Sequence, residues 1–354
     1  MNTDEAKNIR EGEEIPLEKL ALFLNNTLKT NHLPLEILQF PGGYSNLTYL
    51  LKLGEKELVL RRPPKGAAHI HKGHDMQREH KVLSLMNKCY EKSPKTIVYS
   101  DDLDIIGSPF YVMKRIKGTI LRARQNIDIE KQTAKKLSQN LIQNLADMHN
   151  IDIYETKLIE IGKPEGYLER QISGWIQRYN NAKTDEITDM DFVTHWLASN
   201  QKENQSKPTF LHNDYKYDNV VLDENNLGEI IGVLDWEMST VGDSNTDFGI
   251  ALGYLPEKND SPLLVSLNVP IIDGMLSRQE AVEIYEDKRK QKVDNLVFYY
   301  AFALFKLAVV LQQIYYRYQQ GFTKDERFKP LIFIVKDCVM MAKKAIQLNK
   351  ISNF

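Results

Sequence analysis

One stretch constrains this chain more than any other: Leu211-His212-Asn213-Asp214-Tyr215-Lys216-Tyr217-Asp218-Asn219, followed by the apolar Val220-Val221-Leu222. It reads H-x-D-x-x-x-x-N. Sixteen residues after Asn219, a second carboxylate, Asp235, closes the run Ile230-Ile231-Gly232-Val233-Leu234. The β-branched residues make that run a buried strand. Residues 219–222 and 229–234, joined by the turn-like Asp223-Glu224-Asn225-Asn226, read as a hairpin. Asn219 starts it and Asp235 ends it. Phosphoryl transfer to a hydroxyl needs a carboxylate at the attacking oxygen and oxygen ligands for Mg²⁺ on the triphosphate. Asp214 meets the first need. Asn219 and Asp235 meet the second, because a hard cation prefers carboxylate and amide oxygens.

Asp247-Phe248-Gly249 spells the metal motif of protein kinases, but it lies 28 residues after Asn219 and no strand precedes it. Asp235 is therefore the expected metal ligand. Asp243 and Asp247 are expected to brace the loop around Asp214, or to cap a helix starting near Phe248.

The 354 residues suffice for two domains or one bilobal one, and 42% apolar content permits a sizeable core. A net charge of −2 implies neither a nucleic-acid nor an acidic-membrane partner. Two cysteines, Cys89 and Cys338, argue against a disulfide framework and fit a reducing cytoplasm. The polar start, Met1-Asn2-Thr3-Asp4-Glu5, is not a signal peptide by composition. The most apolar stretch, 296–311, is interrupted by Lys306 and reads as a buried helix rather than a membrane span.

Along the chain, 17–28 has helical spacing. Strand-like runs follow at 35–40, 48–53 and 57–64. Between the first two lies Pro41-Gly42-Gly43-Tyr44-Ser45-Asn46. Such a loop can fold over a triphosphate, with backbone N–H groups and Ser45 or Asn46 as donors; an ordinary hairpin gives the same signature. Arg61 stands where kinases place the lysine that grips phosphates, with Arg62 as its rival. His69, His71 and His74 fall in a loop-like stretch and read as surface rather than as a metal site. Residues 76–86 read as a helix whose Glu79 is the natural partner of Arg61. Strands at 96–99 and 110–113 lead into Lys114-Arg115-Ile116-Lys117-Gly118, where adenine recognition is expected from position alone.

The pattern turns helical beyond residue 117. Helices are expected over 129–149, 164–182, 191–197, 277–285, 293–318 and 325–348, with Ser277-Arg278-Gln279-Glu280 forming a capping box. This predicts an α+β, bilobal protein-kinase-like fold: a nucleotide-binding lobe, 1–117, and a catalytic and substrate-binding lobe, 118–354.

Several segments together resemble the aminoglycoside phosphotransferase and choline kinase-like superfamily. They are Phe40-Pro41-Gly42-Gly43-Tyr44-Ser45-Asn46-Leu47-Thr48, Leu58-Val59-Leu60-Arg61-Arg62-Pro63-Pro64, Phe110-Tyr111-Val112-Met113, Gly166-Tyr167-Leu168-Glu169-Arg170-Gln171 and Tyr300-Ala301-Phe302-Ala303-Leu304-Phe305-Lys306-Leu307-Ala308, beside the two catalytic segments. The resemblance is strongest to the phosphotransferase domain found alone in bacteria or fused to acyl-CoA dehydrogenases in animals. It implies ATP and Mg²⁺ as cofactors and a small-molecule hydroxyl as acceptor. It carries over Asp214 as base, Asn219 and Asp235 as metal ligands, and Arg61 with Glu79 at the phosphates; arginine commonly replaces lysine in that branch. Lys216 is expected to neutralise the transferring phosphoryl. Asn213 departs from the usual glycine, and Ser244-Asn245 from a Pro-Leu.

The acceptor is expected beside the helical segment ahead of the catalytic loop, where Arg170, Trp175, Arg178 and Tyr179 offer cationic and aromatic groups. Trp175 and Tyr179, four apart, equally suit a core. A hydroxyacyl-CoA or hydroxy acid is the first expectation. An aminoglycoside or amino-alcohol acceptor, a nucleotide-binding regulator without turnover, and a metal-dependent hydrolase built on the histidine loop are the alternatives. A homodimer is compatible with all of them.

Overall fold

The computed structural model describes residues 5–41, 46–64, 75–123, 128–202 and 207–354. Its first half is a five-stranded antiparallel sheet built from β1 (Leu35–Gln39), β2 (Leu47–Leu53), β3 (Lys56–Arg62), β4 (Thr96–Ser100) and β5 (Phe110–Lys114), in the order β1-β2-β3-β5-β4. Helices α1 (Leu17–Leu28) and α3 (Leu103–Ile106) cover one face, sharing a core with Tyr49, Leu51, Leu60, Phe110 and Val112. Helix α2 (Met76–Met86) covers the other, with Val82, Leu83 and Met86 packed near Val59, Tyr111 and Met113.

Side chains alternate across a strand, and this settles the choice between neighbouring arginines. Arg61 follows Val59 onto the α2 face. Arg62 points the other way, where its guanidinium donates to the Tyr49 hydroxyl at 2.8 Å and to the Glu13 carbonyl at 2.7 Å.

The second half is helical: α4 (Lys131–His149), α5 (Tyr167–Ala182), α6 (Thr188–Asn200), α7 (Ser244–Gly253), α8 (Pro262–Val265), α9 (Arg278–Arg289), α10 (Leu296–Gln319) and α11 (Leu331–Leu348). Among the described residues only α10 is long and apolar enough to cross a membrane. It is the buried core helix, packed by α5, α6, α7 and α11. The capping box at Ser277 and Glu280 starts α9 as expected. The last helix begins at Leu331 rather than Asp325. Pro330 has no N–H to continue a helical ladder and stands as the N-cap of that helix, while 326–328 forms only a 3₁₀ turn.

The segment after β5 crosses close over the second half. A Cβ at Gly118 would lie 2.3 Å from the Leu222 carbonyl oxygen, so only glycine fits this crossing. Thr119 N–H donates to that same carbonyl at 2.9 Å.

Candidate active site

Two small sheets build the site. β6 (Thr209–Leu211) pairs with β9 (Thr240–Gly242), and β7 (Val220–Asp223) pairs with β8 (Asn226–Val233). The loop 212–219 runs from β6 to β7; the loop 234–239 runs from β8 to β9. Both loops span the same two ladders, so they must lie side by side. Leu234 N–H donates to Asn219 O at 2.8 Å. His212 accepts from the Asp214 N–H through Nδ1 at 3.3 Å, so its proton sits on Nε2 and is donated to Leu234 O at 3.0 Å. Under the loops, Trp236 packs against Tyr90, Phe210 and His212.

Asn213 has φ +65°, the left-handed region where glycine is at ease and asparagine is among the few others tolerated. This explains the departure from glycine. The side chain is also used: its amide donates to Met238 O at 3.1 Å, and its oxygen accepts from Tyr167 Oη at 3.1 Å. Buried Asp247 braces the strained turn, accepting from His212 N at 2.6 Å and Asn213 N at 2.8 Å. His149 Nε2 donates to the same carboxylate at 3.1 Å, and Tyr285 holds the other ring nitrogen at 2.6 Å. Burial works against the Asp247 charge, but His149 and the loop amides outweigh it and keep its pKa low. Asp243 caps α7 through Asn245 N–H. The Asp-Phe-Gly triplet is thus a brace, as expected.

Asp214 is clamped by its neighbours. Asn219 Nδ2 donates to the Asp214 carbonyl at 2.8 Å and to Oδ2 at 2.9 Å, which leaves the Asn219 oxygen to serve a cation. Lys216 Nζ lies 3.1 Å from Asp214 Oδ2, 3.8 Å from Asp218 and over the Tyr254 ring. Burial opposes the Lys216 charge; Tyr254, Asp214 and Asp218 outweigh it and raise the pKa.

Across the cleft, Arg61 Nη1 binds Glu79 Oε1 at 2.6 Å, and its Nη2 lies 3.3 Å from Asp235 and 3.2 Å from Glu237. Burial pushes Glu79 up from the usual carboxylate range while Arg61 pulls it back. Asp235 has φ +64°, a second strained position beside the site. Asn46 does not act as an open donor in this structure: its amide binds Glu237 Oε2 at 2.8 Å. The sequence does not mark Glu237 for this place, because a carboxylate two residues past another has no periodic signal.

Lys114, Arg115 and Ile116 line the cleft, together with Val59, Leu83, Met113, Asn219 and Asp235. The apolar members suit a flat heterocycle; Arg61 stands beside Asp235, whereas Lys114 lies opposite Leu58, toward the start of β3. Arg115 pairs with Glu57 at 3.0 Å. No ready-made group of three or more His, Cys, Asp or Glu exists among the described residues. An amide oxygen and a carboxylate, with a second carboxylate adjacent, still fit Mg²⁺, which binds through few protein oxygens plus substrate phosphates. Gly42, Gly43, Ser45 and the three histidines at 69, 71 and 74 lie outside the described residues.

The expected acceptor group is only partly assembled. Trp175 and Tyr179 are buried in the core, since their four-residue spacing serves packing on α5. Arg170 turns back to donate to the carbonyls of Glu165 and Lys163. Arg178 is exposed, 4.7 Å from the Trp175 ring centre.

Arg78 is a further residue that the sequence leaves unmarked. From α2 it donates to the carbonyls of Glu237 at 3.2 Å, Ser239 at 2.5 Å and Ile161 at 3.3 Å, tying α2 to the Asp235 loop. Hydrogen bonds to charged groups contribute about 1.5–3 kcal/mol net of the exchange with water, and Arg78 is only partly buried. Arg78→Ala is therefore expected to lower unfolding stability by roughly 2 kcal/mol in chemical denaturation.

Residues 36–269 match the phosphotransferase enzyme family. Mouse acyl-CoA dehydrogenase family member 10 is 30% identical over 319 residues, covering 88% of this chain and 29% of that protein. Mouse family member 11 is 29% identical over 351 residues, covering 96% and 44%. The chain thus spans less than half the length of these relatives. Among solved structures, a Ralstonia eutropha protein assigned to the aminoglycoside phosphotransferases superposes with TM-score 0.78 at 24% identity, covering 94% of this chain and 99% of that one. Choline kinase from Cryptosporidium parvum gives 0.59 at 13% identity, covering 89% and 91%. These likenesses carry the kinase-like fold.

Proposed function

Because this chain belongs to the phosphotransferase enzyme family, we propose that it transfers the γ-phosphoryl group of ATP to a hydroxyl of a small hydroxy acid or hydroxyacyl-CoA. The observation that carries this reading is the clamp at Asp214. One asparagine, Asn219, orients that carboxylate through its nitrogen and keeps its oxygen for a cation beside Asp235. Mg²⁺ held by Asn219 and Asp235 would supply charge neutralisation at the phosphates. Arg61, fixed by Glu79, grips the phosphates from the sheet side. Asp214 accepts a hydrogen bond from the acceptor hydroxyl and aims it. It takes the proton late, as the new O–P bond forms and the bond to the ADP oxygen breaks. Positioning and electrostatics provide most of the rate.

The carboxylates near Asp214 speak against an amine acceptor. Asp214 and Asp218 face Lys216, and Asp247 serves His149 and the loop amides. An ammonium substrate needs acidic or aromatic-cage partners. Arg178, exposed on α5, instead favours an acceptor that carries negative charge. The acyl-CoA dehydrogenase relatives agree with an acyl acceptor.

The test is ADP release with acceptor phosphorylation across hydroxyacyl-CoAs, hydroxy acids, amino alcohols and aminoglycosides. Turnover on the acyl or hydroxy-acid members is the expected result. Turnover only on the amines would overturn the acceptor class. MgATP binding without turnover on any of them would favour a regulator.

A further inference from the structure

Lys306 interrupts α10, the long apolar core helix, at a buried position, and the proposed phosphoryl transfer gives it no task. Packing does not call for it: leucine or methionine would fill the same space without desolvating a charge. Its ammonium instead donates to the main-chain carbonyl of Asn213 at 2.9 Å and stands 5.5 Å from the Trp175 ring centre. Among the described residues no carboxylate lies within ion-pair distance of it.

We infer that Lys306 is a positioning residue, holding the strained peptide that carries Asp214. This rests on the reading of Asp214 as the acceptor's base. Asn213 occupies the left-handed region, so relaxation of its backbone would swing the following residue. Its N–H is held by Asp247 and its side chain by Tyr167 and Met238; Lys306 supplies the remaining tie, at the carbonyl. The peptide plane between Asn213 and Asp214 is then fixed from both ends, because Asp214 N–H is engaged by His212. The charged groups facing the ammonium are Asp214 and Lys216 from the loop, Asp247 from α7 and Arg178 from α5. Burial lowers the Lys306 pKa to about 8, although Asp214 and Asp247 oppose the shift. The ammonium is therefore present below about pH 8 and lost above it. The tie should weaken on the alkaline side.

Two variants of the full chain test this: Lys306→Met, which removes the donor, and Lys306→Gln, which keeps a neutral one. Amide hydrogen exchange over residues 212–215 needs no acceptor. It should quicken about tenfold in Lys306→Met and stay near wild type in Lys306→Gln. With a turned-over acceptor, kcat should fall about 10²-fold in Lys306→Met with KM for ATP unchanged. The wild-type kcat should decline above about pH 8, and this limb should vanish in Lys306→Gln. Unchanged exchange and unchanged kcat in Lys306→Met would overturn the inference. If Lys306→Met does not fold, a wild-type profile flat from pH 7 to about 9.5 would overturn it as well. Quickened exchange with no acceptor phosphorylated by the wild type would uphold the tie and sink the kinase reading.

Discussion

Asp214→Asn is expected to lower kcat by about 10²–10⁴-fold while MgATP binding survives. Asparagine has the shape of aspartate, so the loop can keep its course, and the Asn219 bond to the main-chain carbonyl is untouched. The bond from Asn219 to Oδ2 can persist if the new amide presents its oxygen. What goes is the negative charge and its ability to take a proton. The nucleotide contacts expected at Arg61, Asn219 and Asp235 do not depend on that charge. The measurement is steady-state kcat beside equilibrium titration with MgATP. Undiminished turnover would show that the reacting centre lies elsewhere. Loss of nucleotide binding would show that Asp214 belongs to the metal site instead.

The second large effect is expected at Asp235. Asp235→Asn should reduce kcat/KM for MgATP by about 10²–10³-fold, the scale of removing one well-placed electrostatic partner. Asparagine is the informative replacement because the position has φ +64°, which most residues other than glycine, asparagine and aspartate resist. A bulkier change would confound lost metal binding with backbone strain. The loss should be partly recovered by raising Mg²⁺, since a weakened ligand set still binds at higher ion concentration. Asp247→Asn is the matched control. Asp247 is buried and braces two loop amides and His149, so its replacement should appear as lost stability with an unaltered Mg²⁺ requirement. If instead Asp247→Asn shifted the Mg²⁺ requirement and Asp235→Asn did not, the two aspartates would have to exchange roles.

These two aspartates also show how much a linear pattern of residues can carry. The residues just before each separate them: Asp235 directly follows an apolar β-branched run, whereas Asp247 follows a polar one and sits inside α7, although, against the expectation, a short strand, β9 (Thr240–Gly242), does precede that helix. Local patterns carry the same information elsewhere. The helix over Met76–Met86, the hairpin of β7 and β8 and the capping box at Ser277 follow from spacing and residue type within a few neighbours. Strand alternation even contains the answer to Arg61 against Arg62, once the sheet's two faces are known.

The tertiary structure decided matters that depend on residues far apart. Arg61 meets Asp235 across 174 positions and Glu237 across 176, and no local period connects them. Lys306 reaches Asn213 across 93, and Arg78 reaches Glu237 across 159. A lysine in an apolar run announces a buried charge, but only the fold shows which carbonyl receives it. The aromatic residues of α5 make the converse case. Trp175 and Tyr179 have the chemistry of a binding surface and the spacing of a core, and spacing prevailed because α5 turns that stripe toward α10. Residue type and periodicity determine which elements form and which side chains share a face. Which faces meet is set by how those elements pack, and the Asp214 site exists only where two small sheets bring two distant loops together.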